Sequence, residues 1–243
     1  MVETTEKLLA YIAYELRPGS NSTAPTWYTS QAKSGSRHDV FGGPFTQIDF
    51  IPALNQILGI ALPNIEDQST PEYLKSIFMT NNIPIPPNPT LPRLLDKLSS
   101  TYLEPRCSKP TWIINIPECL SPLSKSFVHP TAPNNQTVAA RGELFIQGKE
   151  IINCYEEEND PFEQRRKFTN QQKYGGTDDP EAMKVDEDYL RALEWGLPPT
   201  GGWGCGIDRL VMLFTGKDRI GDVLTFGSLR AVTRGAEKWK SER

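Results

Sequence analysis

Apolar positions recur at helical spacing over residues 3–17, where Leu8, Leu9, Ile12 and Leu16 would share one face before Pro18-Gly19 ends the run. Residues 20–43 are polar and rich in Ser, Thr and Gly, the pattern of a loop or insertion. A strand is expected near Phe45–Phe50, followed by a short helix over Ile51–Leu58. Residues 70–80 and 91–103 are two further helix candidates. The stretch between them, Asn81–Pro92, carries Pro84, Pro86, Pro87, Pro89 and Pro92 and reads as an extended connector. Trp112–Ile116 is short, β-rich and apolar, which suits a buried strand. Residues 142–147 and 149–157 alternate on either side of Gln147-Gly148 and predict a hairpin. Helices fit Pro161–Gln172, Pro180–Trp195 and Ile207–Phe214. There is no βαβ alternation, so the pattern points to an α+β fold with an antiparallel sheet flanked by helices.

Composition narrows the function classes. The 243 residues have room for one sizeable core. Their apolar content is 37%, and no run approaches the roughly 18–20 residues of a membrane span. The first residues, Met1-Val2-Glu3-Thr4-Thr5-Glu6-Lys7, lack the apolar core of a signal peptide and the arginines of a transit peptide. The expected compartment is therefore cytoplasmic, with a mitochondrial one if a further N-terminal segment exists. Cys107, Cys119, Cys154 and Cys205 are scattered, and with only His38 and His129 as imidazoles a structural zinc site is not expected. A net charge of −4 argues against a surface that grips polyanions everywhere. A local basic face remains open at Arg165-Arg166-Lys167 and in the tail over residues 230–243.

Two stretches carry candidate chemistry. Gly201-Gly202-Trp203-Gly204-Cys205-Gly206 opens into an apolar helix led by Asp208-Arg209. Backbone without side chains lets a planar or phosphorylated group approach closely, and Arg209 adds a fixed cationic fork suited to phosphate oxygens. No Gly-Lys-Ser/Thr follows, and the spacing is not that of a dinucleotide fingerprint. A tight strand-to-helix joint with a surface arginine is the plainer alternative.

The hairpin is the second stretch. With a two-residue turn at 147–148, Glu143 lies opposite Ile152 and Phe145 opposite Glu150, so Glu143 and Glu150 share a face. With no basic partner near them in sequence, two such carboxylates suit Mg²⁺, which takes one or two carboxylates plus phosphate oxygens and water. A solvated sheet face is the plainer reading. Strict alternation would put Ile152 and Cys154 beside the carboxylates and send Asn153, Tyr155 and Glu157 to the other face. One extra residue near Ile151-Ile152, a β-bulge, reverses both assignments.

These stretches resemble the lysyl-tRNA synthetases of class II. Glu194–Thr215, containing Trp195-Gly-Leu-Pro-Pro-Thr-Gly-Gly-Trp-Gly-Cys-Gly-Ile-Asp-Arg209, is similar to motif 3 of that class. Glu143–Pro161 resembles the strand pair before the amino acid pocket, and Ile116–Lys125 and Leu94–Leu98 fit in the expected order. The resemblance implies a class II catalytic sheet. It further implies Glu143 and Glu150 as Mg²⁺ ligands with ATP, and Asn153, Tyr155 and Glu157 as the lysine pocket. Gly204 and Gly206 would lie beneath the substrates, and Arg209 would take the catalytic position on the ATP γ-phosphate. The family usually carries a hydroxyl residue and a leucine where this chain has Glu156 and Glu158.

The resemblance also implies parts that the sequence lacks. No Phe-Arg-x-Glu of motif 2 occurs, and neither motif 1 nor an anticodon-reading module is recognisable. Residues 1–243 thus resemble the C-terminal part of a catalytic domain. Three expectations follow: a lysine–tRNA ligase acting on lysine, ATP and tRNA with impaired activity in this chain, a catalytically inactive paralogue that binds ligands, or an interaction protein. Partners would be a second copy of the chain or a full-length synthetase, the latter completing the sheet, with no role for a membrane.

Overall fold

The computed structural model describes residues 1–16, 41, 44–175 and 185–224. Apart from Phe41, the loop expected over 20–43 lies outside these residues, as do the tail over 230–243 and the start of the helix expected from Pro180. The chain divides into two compact units, Met1–Thr4 with Phe45–Gly204, and Thr5–Pro44 with Cys205–Arg243.

The larger unit is built on a five-stranded sheet in the order β1-β2-β5-β6-β7. Its strands are β1 (Thr46–Asp49), β2 (Thr111–Ile114), β5 (Arg141–Ile146), β6 (Lys149–Glu156) and β7 (Gly201–Cys205). The pairs β2–β5 and β5–β6 are antiparallel, as expected, but β1 and β2 run parallel. A parallel pair needs a long crossover. Here it is supplied by three helices, α2 (Phe50–Leu58), α3 (Thr70–Thr80) and α4 (Leu91–Leu98). Two short strands also escaped the periodicity, β3 (Ser126–Val128) and β4 (Thr137–Ala139), which pair antiparallel with each other.

The three crossover helices enclose the main core. Pro71 and Pro92 occupy first turns of α3 and α4, where a missing N–H costs nothing. In α4 the stripe Leu91, Leu94, Leu95 and Leu98 is buried against Phe50, Leu54, Leu74 and Phe78 and against Ile113 and Phe145 of the sheet. The helix expected over 91–103 does not stay regular. Beyond Leu98 it loosens into a π-helical turn over Ser99–Leu103 and then a 3₁₀ turn over Glu104–Arg106, just ahead of Pro110 and β2.

Helix α5 (Pro161–Gly175) begins where Asp160 accepts from the N–H groups of Phe162 and Glu163, an N-cap in front of a first-turn proline. Helix α6 spans Glu187–Glu194, shorter than expected, and Asp186 caps it through the Tyr189 N–H. Arg165-Arg166-Lys167 does not form a basic face. Arg165 grips Glu187 with both Nη atoms, Arg166 donates to Glu118 and Glu163, and Lys167 is buried on Glu158.

Helix α1 (Val2–Glu15) buries Thr5, Leu9 and Ala13, while Leu8 is exposed, so the apolar stripe is rotated from the expected one. In the second unit α7 (Ile207–Thr215) ends at Gly216 in the left-handed region, and its Phe214 stacks on Phe41. Among the described residues no helix is long and apolar enough to cross a membrane.

Candidate functional site

The site is assembled by the β5–β6 hairpin. Its turn has Gln147 at φ 54 and Gly148 at φ 69, the two positive values that a two-residue primed turn requires. From there the pairs are Ile146–Lys149 and Phe145–Glu150, after which the register shifts and continues Leu144–Ile152, Glu143–Asn153, Gly142–Cys154 and Arg141–Tyr155. Ile151 is the extra residue, so the expected bulge is present. Glu143 consequently faces Asn153 instead of the Ile152 that regular pairing would give. Beyond the bulge Ile152 and Cys154 are buried, while Asn153, Tyr155 and Glu157 remain partly open. The bulge therefore places Glu143, Glu150, Asn153 and Tyr155 on one face.

That face contains a base that the sequence reading missed. Arg141 lies two residues before Glu143 and hence on the same side of the strand. Its Nη2 donates to Glu143 Oε1 at 2.6 Å and its Nε to Asn153 Oδ1 at 2.9 Å. Its Nη1 reaches the Leu120 carbonyl at 2.7 Å and Ser121 Oγ at 3.2 Å. The two glutamates thus do have a basic neighbour. It orients Glu143 and Asn153 and anchors both to the 120–121 loop.

One arginine does not cancel the acid there. Burial lifts the Glu143 carboxyl to about 7; Arg141 opposes the rise, while Glu150, Glu104 and Asp96 add to it. Glu104 is raised as well, by burial first and then by Asp96 and Glu150. Among the described residues no three carboxylate, imidazole or thiol groups lie together as a metal cluster, so a Mg²⁺ ion there would draw on one or two carboxylates and take its other oxygens from phosphate and water. Asp96 and Glu104 come from the end of α4 and the turn after it. Asp96 sits in the regular part of that helix and Glu104 after its irregular continuation, and no sequence period announces the approach of either.

Glu157 follows the end of β6. Its N–H donates to the Thr200 carbonyl at 2.9 Å, and it forms an isolated bridge with Ser124. Burial raises its carboxyl, and burial followed by Glu157 raises the Tyr155 hydroxyl. Both side chains lie over β7. A Cβ on Gly202 would run into the Glu157 carboxylate and come within 3.2 Å of the Tyr155 ring. Gly204 on the same strand is different, since a Cβ there would meet only the Asn153 carbonyl, at 3.9 Å. Gly206, before α7, would place a Cβ 3.5 Å from the Arg209 stem, an ordinary contact. Neither has a positive φ, so packing among the described residues does not demand glycine at 204 or 206. Gly206 and the exposed Arg209, in the first turn of α7, belong to the second unit.

Cavities also open among the described residues of the larger unit. One of about 670 Å³ opens among Met1, Ile114, Gly142, Cys154, Tyr155 and Gly201, and of the residues on the carboxylate face only Arg141 and Tyr155 reach it. Another, of about 330 Å³, lies between α5 and the 65–71 segment, away from the hairpin face.

Residues 1–230 match the sequence model of a family described as tRNA synthetases class II (D, K and N). The chain is 45% identical over 203 residues to the mitochondrial lysine–tRNA ligase of Schizosaccharomyces pombe, covering 82% of this chain and 38% of that protein. It is 35% identical over 242 residues to lysine–tRNA ligase cla4 of Cladosporium cladosporioides, covering 98% and 39%. Similarity to a probable cytoplasmic lysine–tRNA ligase of Encephalitozoon cuniculi is 37% over 232 residues, covering 95% and 44%. The chain spans 38–44% of the length of these relatives.

Proposed function

The chain belongs to the class II tRNA synthetases of the D, K and N group, and on that premise we propose that it carries the lysine and magnesium–ATP subsites of a lysine–tRNA ligase. The observation that carries this reading is the bulge at Ile151, which turns Glu143, Glu150, Asn153 and Tyr155 to one face. Without it the acidic and polar groups would divide between core and solvent.

Each side chain then has a task. Glu157 accepts the ε-ammonium of lysine, and Tyr155 flanks the methylene stem beside it. Asn153, fixed by Arg141, offers its amide to the amino acid. Glu143 and Glu150 are the residues that would hold Mg²⁺, which supplies charge neutralisation between carboxylates and phosphate oxygens. Gly204 and Gly206 keep the backbone open to the nucleotide, and Arg209 takes the γ-phosphate. In the reaction the lysine carboxylate oxygen bonds to the α-phosphorus of ATP as the bond to pyrophosphate breaks. No protein nucleophile is needed, so catalysis rests on alignment and charge stabilisation. Transfer of the lysyl group to tRNA, and self-association or pairing with a longer synthetase chain, belong to the same proposal.

Titration of lysine and of Mg²⁺ with ATP into the chain and its Glu157→Gln and Glu150→Gln variants tests the assignment. Glu157→Gln should lose lysine while keeping ATP, and Glu150→Gln should weaken magnesium-dependent ATP binding by about tenfold. Equal binding of both ligands by all three proteins would overturn it.

A further inference from the structure

Three consecutive carboxylates close β6, yet the fold treats each differently. Glu156 is exposed, with Lys125 Nζ at 3.3 Å. Glu158 turns inward and is buried, accepting from the equally buried Lys167 Nζ at 2.7 Å. Its second oxygen accepts from the Asp160 N–H at 3.2 Å. Glu157, between them, has no side-chain hydrogen bond or ion pair among the described residues. The flanking charges are therefore matched by lysines, and the middle one is left to face Gly202 and Tyr155.

Lys167 does more than neutralise Glu158. Its Nζ also donates to the Ser124 carbonyl at 2.6 Å. Ser124 is the residue that bridges to Glu157, and the Glu158 N–H donates to the neighbouring Leu123 carbonyl at 2.8 Å. One ammonium group on α5 thus ties down both the strand end that bears Glu157 and the segment that pairs with it. A buried ion pair is a poor source of net stability, because desolvating two ions offsets their attraction, so its value here is geometric.

We propose that Lys167 is a positioning residue for Glu157: by holding the Ser124 carbonyl and the Glu158 carboxylate together, it fixes the strand end and leaves Glu157 as the one of these three glutamates with no lysine partner among the described residues, so that selectivity for an amino acid with a cationic tip depends on Lys167. The proposal rests on Glu157 being the partner of the lysine ammonium. Glu158 without Lys167 would be a stranded buried charge beside Glu157, and the Ser124 carbonyl would lose its donor.

The test compares L-lysine with L-norleucine, which lacks only the terminal ammonium, by calorimetry or ligand-observed NMR on the 243-residue chain. Lys167→Met should cut the preference for lysine over norleucine by about tenfold or more, since a small misplacement of a charged partner is costly. Norleucine binding should stay nearly unchanged, and Lys167→Arg should restore most of the preference. Glu158→Leu combined with Lys167→Met removes the stranded charge, and it should recover thermal stability without recovering selectivity. An unchanged preference in Lys167→Met overturns the proposal. So does an equal loss of both amino acids, or selectivity that returns with stability in the double variant. Glu157→Gln separates the two levels. If wild-type preference survives that change, the lysine-site reading fails and the role of Lys167 falls with it. If Glu157→Gln abolishes the preference and Lys167→Met does not, only the role of Lys167 fails.

Discussion

Glu143 is the side chain on which pH should act most visibly. Its carboxyl is raised to about 7 from an ordinary value of 4.5, by burial first and then by acidic neighbours, against the opposing effect of Arg141. The folded chain therefore holds this proton more tightly than the unfolded chain does. Its contribution is favourable below the unfolded value and is lost as pH rises through the window from 4.5 to about 7. Glu143→Gln should flatten that fall, by an amount on the order of 2–3 kcal/mol, in unfolding measured at pH 5 and pH 8. A parallel pH dependence in both proteins would refute the assignment. The glycines of β7 allow a second comparison. Gly202→Ala should impair lysine binding severely, because its methyl group meets the Glu157 carboxylate and the Tyr155 ring, while Gly204→Ala has room and should leave lysine binding near wild type. Amino acid titrations on the two variants decide it, and equal effects would show that Glu157 and Tyr155 are not arranged over position 202 in solution.

Helix α4 and the hairpin show how far local pattern reaches at the scale of elements. The leucines at 91, 94, 95 and 98 repeat at helical spacing, and all four are buried in the core. Leu95→Ala, at a site with no solvent exposure, should cost about 2–5 kcal/mol in denaturant unfolding through lost burial and an unfilled cavity. A cost below about 1 kcal/mol would mean that the helix is loosely packed. The bulge at Ile151 was legible because two requirements conflicted: strict alternation sent Asn153, Tyr155 and Glu157 away from Glu143. The parallel pairing of β1 with β2 was not legible. Strand direction depends on how a crossover of three helices returns the chain, and neither four-residue strand records that path.

Across the whole molecule, what counts is which catalytic groups these residues carry. The chain spans 38–44% of the length of the ligases to which it is similar, and its sequence contains no Phe-Arg-x-Glu. Removing one group that stabilises transition-state charge costs about 3–4 kcal/mol. The 243 residues assayed alone should therefore bind lysine and ATP without charging tRNA, and lysine-dependent ATP–pyrophosphate exchange should stay near background. Exchange at the rate of an intact synthetase would show that the groups identified on these residues suffice for adenylation.

Most helices and the longer strands, the hairpin turn at Gln147-Gly148, the bulge and the family could be read from the chain, because each depends on residues close together in sequence, whereas the short strands β3 and β4 could not. Arg141 was within the same reach, since strand parity puts it beside Glu143, although its grip on Asn153 waits on the bulge. Other features belong to tertiary structure alone. Asp96 and Glu104 act on Glu143 only because the packing of α4 and the turns after it sets them near the hairpin. Three adjacent glutamates acquire three different fates only because Lys125 and Lys167 arrive from other elements. Sequence determines which charges a segment carries and which way successive side chains point along a strand. Which of those charges is compensated depends on partners distant in the chain, and burial, which raises the cost of every unmatched charge, exists only once the fold has formed.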